Sequence, residues 1–353
     1  MKVYIYSEMQ DKIEKSGVGR AIYHQKAGLS ANGIELTDDY RQADVIHINT
    51  VFPKSFFLAL KAKRLGIPVV YHAHSTKEDF RNSYIGSNLF AGLFKRWIKL
   101  CYSLGDIIVT PSEYSKQLLE SYNIRKEITV ISNGIDLEKY NRSESGGKAF
   151  REKYGYSDTD KVIMSAGLLI KRKGILDFIE LAKRMPQYKF IWFGWSDMRF
   201  VGREVRRAVK ENVPNLTFAG YVPPEELKAA YSGCDLFMFP SYEETEGIVV
   251  LEALAMKIPV LLRDIPVYSG WLNNCEDVYK ANSLEDFGKT ACDILEYALP
   301  DLTEQGYQTV EKKNIQNIGE QLCNAYRRAI SIKSSKPSMT ECCEAIMFKE
   351  RQR

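Results

Sequence analysis

Glu244 and Glu252, separated by seven residues, lie within Asp235–Met256, DLFMFPSYEETEGIVVLEALAM. Asp235–Phe239 is short, apolar and aromatic, as a buried strand would be, and Pro240 and Ser241 end it. An acidic loop with Glu243, Glu244 and Glu246 follows, then Gly247 and an apolar run, Ile248–Met256, that suits a buried helix. One carboxylate therefore precedes the helix and the other lies about a turn and a half inside it. Carboxylates accept paired hydrogen bonds from sugar hydroxyls, so two beside a helix start suit a polyhydroxyl ligand. The N–H groups of Gly247, Ile248 and Val249 could hold the phosphates of the same ligand. An ordinary helix start with acids at its positive end is the alternative.

A second group of candidates follows an earlier strand. Gly167-Leu168-Leu169-Ile170-Lys171-Arg172-Lys173-Gly174 places three cations before a glycine at a helix start, where they could neutralise a diphosphate leaving group. Arg172 could grip phosphate bidentately. A solvated basic turn is the alternative. His72 and His74 follow a Val-Val-Tyr strand; we expect them to point apart, which is poor geometry for a shared metal. Asp158-Thr159-Asp160 has the spacing of a metal-nucleotide motif but sits in a polar turn without an apolar flank, and reads as a cap or turn. The seven cysteines show no CxxC or metal spacing and fit a reduced cytoplasmic protein. No metal is expected.

The elements that would hold these residues alternate. Strand patterns at Lys2–Ser7, Asp44–Asn49, Pro68–His72, Asp106–Thr110 and Ile128–Ile131 are separated by helical runs. After a polar stretch from Asn141 to Tyr156, strands recur at Val162–Ala166, Phe190–Phe193, Leu216–Ala219, Asp235–Phe239 and Pro259–Leu262. Such alternation predicts an α/β fold of parallel sheets with ligands at the carboxyl ends of the strands. With 353 residues there is room for two Rossmann-like domains facing across a cleft, 1–145 and 146–313, with 333–353 as a tail holding Cys342 and Cys343. Hydrophobic content of 45% and charged content of 27% are those of a soluble globular chain. No apolar run reaches the ~18–20 residues that span a bilayer, and the N-terminus enters a strand without a signal-peptide pattern.

Charge is unevenly spread. Lys54, Lys61, Lys63, Arg64, Lys77, Arg81, Lys95, Arg96 and Lys99 face only Glu78 and Asp79 between positions 51 and 99. This excess attracts phosphate, on nucleic acid or anionic lipid, and no nucleic-acid motif accompanies it. Within Asn88–Ser103, Leu89, Leu93, Trp97 and Leu100 recur at helical spacing, with Lys95, Arg96 and Lys99 expected on the other side. A basic amphipathic membrane-surface helix and a helix packed on the sheet fit equally.

The pattern P-S-x-x-E-x-x-G-x-x-x-L-E-A-x-A resembles the E-x7-E signature of GT-B glycosyltransferases, in particular family 4. The resemblance implies that Glu244 contacts the transferred sugar and Glu252 the ribose of the nucleotide. Thr245 and Glu246 replace the usual Gly-Phe, so donor choice is expected to be set there. Ser132-Asn133-Gly134-Ile135-Asp136 matches the N-G-[IV]-D turn that closes the family's first half, which makes Asn133 a donor contact. Gly17 and Gly19 correspond to its diphosphate-approaching loop. His74 matches the family's histidine near the transferred bond better than His72. In the family's G-R-L-x-x-x-K-G, Gly167 and Lys173 keep their places, Leu168 replaces the Arg, and Arg172 is the expected substitute.

The implied fold is GT-B, with a last helix, Asn314–Ile332, crossing back to the first domain. The implied activity is retaining and cofactor-free, needs no metal, and moves glucose or galactose from a UDP-sugar. RKGILDFIELAKRMP, FIWFG and RDIPVYSGWL are similar to segments of Gram-positive synthases that add a second hexose to monoglucosyl-diacylglycerol. That similarity implies a lipid acceptor, an anionic membrane surface met by Lys95, Arg96, Trp97 and Lys99, no nucleic acid, and a peripheral place on the cytoplasmic membrane face. Capsule or cell-wall polysaccharide transfer, and nucleotide-sugar binding without turnover, are the competing readings.

Overall fold

The computed structural model describes residues 1–9, 13 and 16–335; Cys342 and Cys343 of the expected tail lie outside them. In the first half, β1 (Lys2–Tyr6), α1 (Gly17–Ala31), β2 (Glu35–Leu36), β3 (Val45–Ile48), α2 (Pro53–Arg64), β4 (Val69–His72), α3 (Lys77–Phe80), α4 (Ser87–Tyr102), β5 (Ile107–Thr110), α5 (Glu113–Ser121) and β6 (Glu127–Val130) succeed one another. The strands form one parallel sheet in the order β2-β1-β3-β4-β5-β6. Every residue of β3, β4 and β5 is buried, as expected for strands covered on both faces by crossover helices.

The second half begins with α6 (Glu144–Tyr154). It continues through β7 (Val162–Ala166), α7 (Ile175–Arg184), β8 (Lys189–Phe193), α8 (Arg203–Ala208), β9 (Leu216–Gly220), α9 (Pro224–Gly233), β10 (Leu236–Phe239), α10 (Ile248–Ala255) and β11 (Val260–Arg263). β12 (Tyr279–Ala281), α11 (Leu284–Leu295), α12 (Thr303–Glu311) and α13 (Ile315–Ser334) complete it. Its sheet is parallel in the order β12-β11-β10-β7-β8-β9. The two Rossmann-like domains are those expected from the alternation. The short edge strands β2 and β12 were not, because two or three residues leave no period to read.

In each sheet the strand order reverses once, between β1 and β3 and between β7 and β10. Crevices at such switch points, outside the carboxyl ends, hold the ligands of doubly wound folds. The loops after β7 and β10 are those carrying Lys173 and Glu244. The loops after β1 and β3 lead to Gly17 and Asn49.

Helix α13 returns to the first domain, where Leu322, Cys323, Tyr326 and Ala329 join Val3, Leu29, Val45 and Ile107 in one core. It crosses α1 at two glycines. A Cβ on Gly319 would lie 2.1 Å from the Gly28 carbonyl oxygen, and one on Gly28 2.4 Å from that of Ile315. Only glycine permits backbones this close. Lys333 and Ser334, expected in the tail, belong to α13. The long loop before α4 holds the single turn α3, whose first turn Thr76 caps. At the suspected metal motif, Asp160 accepts from the Ser157 N–H at 2.7 Å and its hydroxyl at 2.9 Å, closing a local turn.

Candidate active site at the sheet switch points

Gly174, at φ +75°, ends the Lys171–Lys173 turn; a Cβ there would lie 2.1 Å from the Pro240 carbonyl oxygen. This close approach presses the loop after β7 onto the loop after β10. Tyr242 N–H donates to the Arg172 carbonyl at 2.8 Å, which locks the two loops together. Arg263 props the second loop from below. Its Nε donates to Pro240 O at 3.0 Å, its guanidinium pairs with Asp177, and it stacks 4.0 Å from the Tyr242 ring centre.

The result is a converging set of charges. Lys173 Nζ lies 2.5 Å from Glu244 Oε1, Ser241 Oγ donates to the same oxygen at 2.6 Å, and Arg172 Nη1 is 3.9 Å away. Burial works to raise the Glu244 pKa, but Lys173 and then Arg172 outweigh it and hold the carboxylate below its usual range. Lys173 is lowered by burial, with Arg172 adding to that and Glu244 opposing it. A buried carboxylate paired with a buried ammonium can orient hydroxyls and meet growing negative charge at one spot.

Glu252 sits deeper in α10, where Tyr140 OH donates to it at 2.6 Å, Tyr231 OH at 3.2 Å, and Arg20 Nε stands 3.4 Å away. Its pKa is raised, chiefly by burial, against the pull of Arg20 and the two hydroxyls. Gly247 caps α10 without a side chain, so the first-turn N–H groups of Ile248 and Val249 face no capping oxygen. Arg20 belongs to α1, just after Gly19, so its contact with Glu252 sets the α1 N-terminus against α10 across the cleft. Ser16 caps that N-terminus, its Oγ accepting from Gly19 N–H at 3.4 Å. Arg20 is an additional site residue, and its one signal in the sequence is its place directly after the glycine loop.

On the opposite wall the histidines form a stack. His74 lies parallel to His72 with ring centres 4.1 Å apart, and His72 parallel to His47 at 5.3 Å. The expectation that His72 and His74 point apart is overturned. Residues two apart on a strand share a face, and here His74 follows the last residue of β4 on that same side. Tyr326 OH contacts His47 Nδ1 at 2.7 Å, and His47 Nε2 contacts His72 Nδ1 at 3.2 Å. Gln25 Nε2 reaches His72 Nδ1 at 3.1 Å and Asn49 Oδ1 at 2.9 Å, while His74 Nε2 meets the same Asn49 oxygen at 2.8 Å. Asn49 Oδ1 can only accept, so a neutral His74 donates its Nε2–H there and leaves Nδ1 as an acceptor, while the single lone pair of His72 Nδ1 is shared between Gln25 and His47. Burial holds His74 and His47 near pKa 3 and His24 near 4, so the wall is neutral at ordinary pH. Gln25, Asn49 and Tyr326 were not anticipated, because they come from separate elements and share no spacing.

Three expected site residues serve the joint between the domains. Glu246, 0% exposed, accepts from Ser132 Oγ, from Asn133 N and Nδ2 at 2.8 Å each, and from Lys313 Nζ at 3.2 Å. It is a bolt into the Ser132–Asp136 turn, and it spends its oxygens there rather than in a sugar pocket. Asn133 commits its N–H and its amide nitrogen to that bolt. Arg172, 8% exposed, pairs with Asp79 at 2.9 Å and donates to Ser83 Oγ at 3.0 Å and Glu243 O at 2.6 Å. Its guanidinium thus ties α3 and its following loop to the donor loops, and Lys173 alone of the cationic turn is turned toward Glu244 at hydrogen-bond distance. Gly167, at the end of β7, accepts from Trp192 Nε1 at 2.9 Å and fixes the base of the cationic turn.

Helix α4 keeps Lys95, Arg96 and Lys99 on one arc, as expected, but only part of its wide apolar arc is buried. Trp97 turns inward, its Nε1 donating to Val51 O at 2.6 Å and its ring 5.3 Å from Phe56. Leu89 is 80% and Leu93 60% exposed, with Phe90 and Leu100 also outward and Arg96 among them. Lys95 lies over the Tyr122 ring at 4.4 Å, and Lys99 is half-buried. The apolar arc is wider than the surface that covers it, so burial is confined to the part that carries Ala91, Ile98 and Cys101. Among the described residues no helix is long and apolar enough to cross a membrane, and none of their His, Cys, Asp and Glu residues gather into a metal-binding group of three or more.

Known proteins share this arrangement. Residues 34–139 match the family description "Glycosyltransferase Family 4", and residues 147–301 match "Glycosyl transferases group 1". The chain is 42% identical over 335 residues to the processive diacylglycerol alpha-glucosyltransferase of Acholeplasma laidlawii, covering 94% of this chain and 100% of that one. It is 32% identical to the alpha-galactosylglucosyldiacylglycerol synthase of Streptococcus pneumoniae over 75% of this chain and 72% of the relative. Among solved structures, Anabaena HepE in complex with UDP-glucose superposes with a TM-score of 0.76 at 16% identity, covering 93% of this chain and 100% of that one. Sucrose-phosphate synthase from Thermosynechococcus elongatus gives 0.77 at 16%, covering 94% and 99%. The facing sheets and the crossover helix are thus those of the GT-B fold, and the chain belongs to glycosyltransferase family 4.

Proposed function

We propose that the enzyme moves a glucosyl or galactosyl unit from UDP to monoglucosyl-diacylglycerol, with retention at the anomeric carbon, giving a diglycosyl-diacylglycerol. The observation that carries this is the Lys173–Glu244 pair at the donor switch point, in a chain whose relatives are named for glycolipid synthesis. The bond from the anomeric carbon to the β-phosphate oxygen breaks. The acceptor hydroxyl attacks from the same face, and its proton passes to a phosphate oxygen. Lys173 meets the charge growing on the diphosphate, where stabilisation accelerates the step most. Glu244 orients the sugar, Glu252 the ribose, and the open Nδ1 of His74 accepts from a sugar hydroxyl. Lys173 and the helix ends at Gly17, Gly19, Gly247, Ile248 and Val249 fill the role of a cation, so no metal is required.

The acceptor lies in a bilayer, and the reading places the enzyme peripherally on an anionic membrane at its cytoplasmic face. The exposed Leu89, Phe90, Leu93 and Leu100 with Arg96 and Lys99 support this, since apolar side chains rimmed by cations suit a lipid interface. The relative's description as processive favours one variation, in which the same site adds successive hexoses starting from diacylglycerol. Incubation with radiolabelled UDP-glucose or UDP-galactose, each with diacylglycerol, glucosyl-diacylglycerol or membrane extract, separates these outcomes. Label in a diglycosyl lipid from glucosyl-diacylglycerol supports the proposal. Label only in polysaccharide, or in no product, refutes the lipid acceptor.

A further inference from the structure

The membrane-facing residues considered so far all belong to the first domain, yet the donor domain has a matching segment. Trp195–Lys210 follows β8 and carries Arg199, Arg203, Arg206, Arg207 and Lys210 against Asp197 and Glu204. Trp195 is 60% and Phe200 58% exposed, while Val201 and Val205 of the same segment are buried in the donor core. The segment has its own inward anchor, so the two outward aromatics are surplus to packing. Clustered outward aromatics beside cations mark a contact surface rather than ordinary scatter.

Their position is set by a bond across the domain boundary. Ile85 N–H donates to the Phe200 carbonyl at 2.9 Å, which lays the Phe200 loop beside the exposed Tyr84 and Ile85 at the foot of α4. The apolar face of α4 therefore continues over the cleft rim onto the donor domain.

We infer that the Trp195–Phe200 loop is a second membrane foot and that both domains together build the docking surface. The occupant is an anionic bilayer, argued from the cationic excess of the segment and from its continuity with the α4 face. This rests on the membrane-acceptor reading above. With lipid under both sides of the cleft, a glycolipid headgroup can enter from the bilayer without leaving it.

The test compares the full chain, a Trp195→Ser/Phe200→Ser variant and a Leu89→Ser/Leu93→Ser variant. Each is sedimented with vesicles of phosphatidylcholine, with and without phosphatidylglycerol, and assayed on acceptor in detergent micelles. Losing two interfacial aromatics should weaken partitioning into anionic vesicles by about tenfold or more, with micellar transfer retained. Undiminished partitioning of the Trp195/Phe200 variant, with loss only in the α4 variant, overturns the second foot while the membrane reading stands. A wild-type chain that binds neither vesicle removes the membrane reading and this inference with it.

Discussion

Lys173 and Glu244 meet at 2.5 Å although they come from different loops, seventy-one positions apart, brought together where β7 and β10 part. The Ser241 hydroxyl shares the same Glu244 oxygen at 2.6 Å, and the next cation, Arg172, stands 3.9 Å away, so the pair is held in place beside the switch point. Lys173→Ala should lower kcat by about 10²–10³, the usual effect of removing one preorganised charge from a developing anion. Lys173→Arg should recover only part of it, because a fork replaces a point charge. Steady-state kinetics with UDP-sugar decide this; a loss below about fivefold contradicts the role.

Glu246 offers a contrast. Its carboxylate is fully buried and holds Ser132, Asn133 and Lys313. Glu246→Ala leaves Lys313 and the Asn133 N–H groups without their acceptor, which costs about 3–5 kcal/mol for a buried pair broken on one side. Calorimetry should show melting several degrees lower, with the preference between UDP-glucose and UDP-galactose unchanged. An unaltered melting point with altered donor preference would restore Glu246 to the sugar pocket.

All four histidines of the chain are held neutral by burial. Their folded pKa values lie below the ordinary 6.5, so between 6.5 and about 4 the unfolded chain binds more protons. Stability is therefore present above pH 6.5 and lost as pH falls. Each histidine contributes about 1.4 kcal/mol of that loss by pH 5.5. Imidazole nitrogen spectra from ¹⁵N-histidine-labelled protein should show no ring titrating between pH 7.5 and 5.5. A midpoint above about 6 for His47 or His72 would disprove the neutral stack.

Gly174 tests the joint between the donor loops. Alanine there meets the Pro240 carbonyl and a positive φ together. Gly174→Ala should separate Lys173 from Glu244 and reduce transfer about as much as Lys173→Ala, with UDP binding weakened in calorimetric titration. Wild-type transfer by this variant would show that the loop contact is dispensable.

Much of the fold was legible because parallel strands buried on both faces read as continuous apolar runs, as in VVYH and LFMF. Lys173 and Glu244 were legible because each lies in a short charged loop between an apolar strand run and a glycine that opens a helix. What stayed hidden depends on long-range contact. His47 meets Tyr326 from 279 positions away, and Asn49 joins Gln25 to His74 with no common period. Glu246 and Arg172 look like ligand contacts by position, and only the meeting of two domains turns them into fasteners. Trp97 fitted a membrane-facing and a sheet-packed helix equally, because an apolar arc this wide does not reveal which part of it will be covered.

Retaining transfer of a hexose onto a glucosylated diacylglycerol, as proposed, is tested most directly at the anomeric carbon. Purified enzyme given UDP-glucose or UDP-galactose labelled with ¹³C at the anomeric carbon, and glucosyl-diacylglycerol, yields a product whose new linkage is read by its one-bond carbon–hydrogen coupling. Retaining, metal-independent transfer gives a labelled diglycosyl lipid with the α coupling carried over from the donor, formed equally in the presence of EDTA. A β-linked product, or label that never enters lipid with either donor, contradicts it.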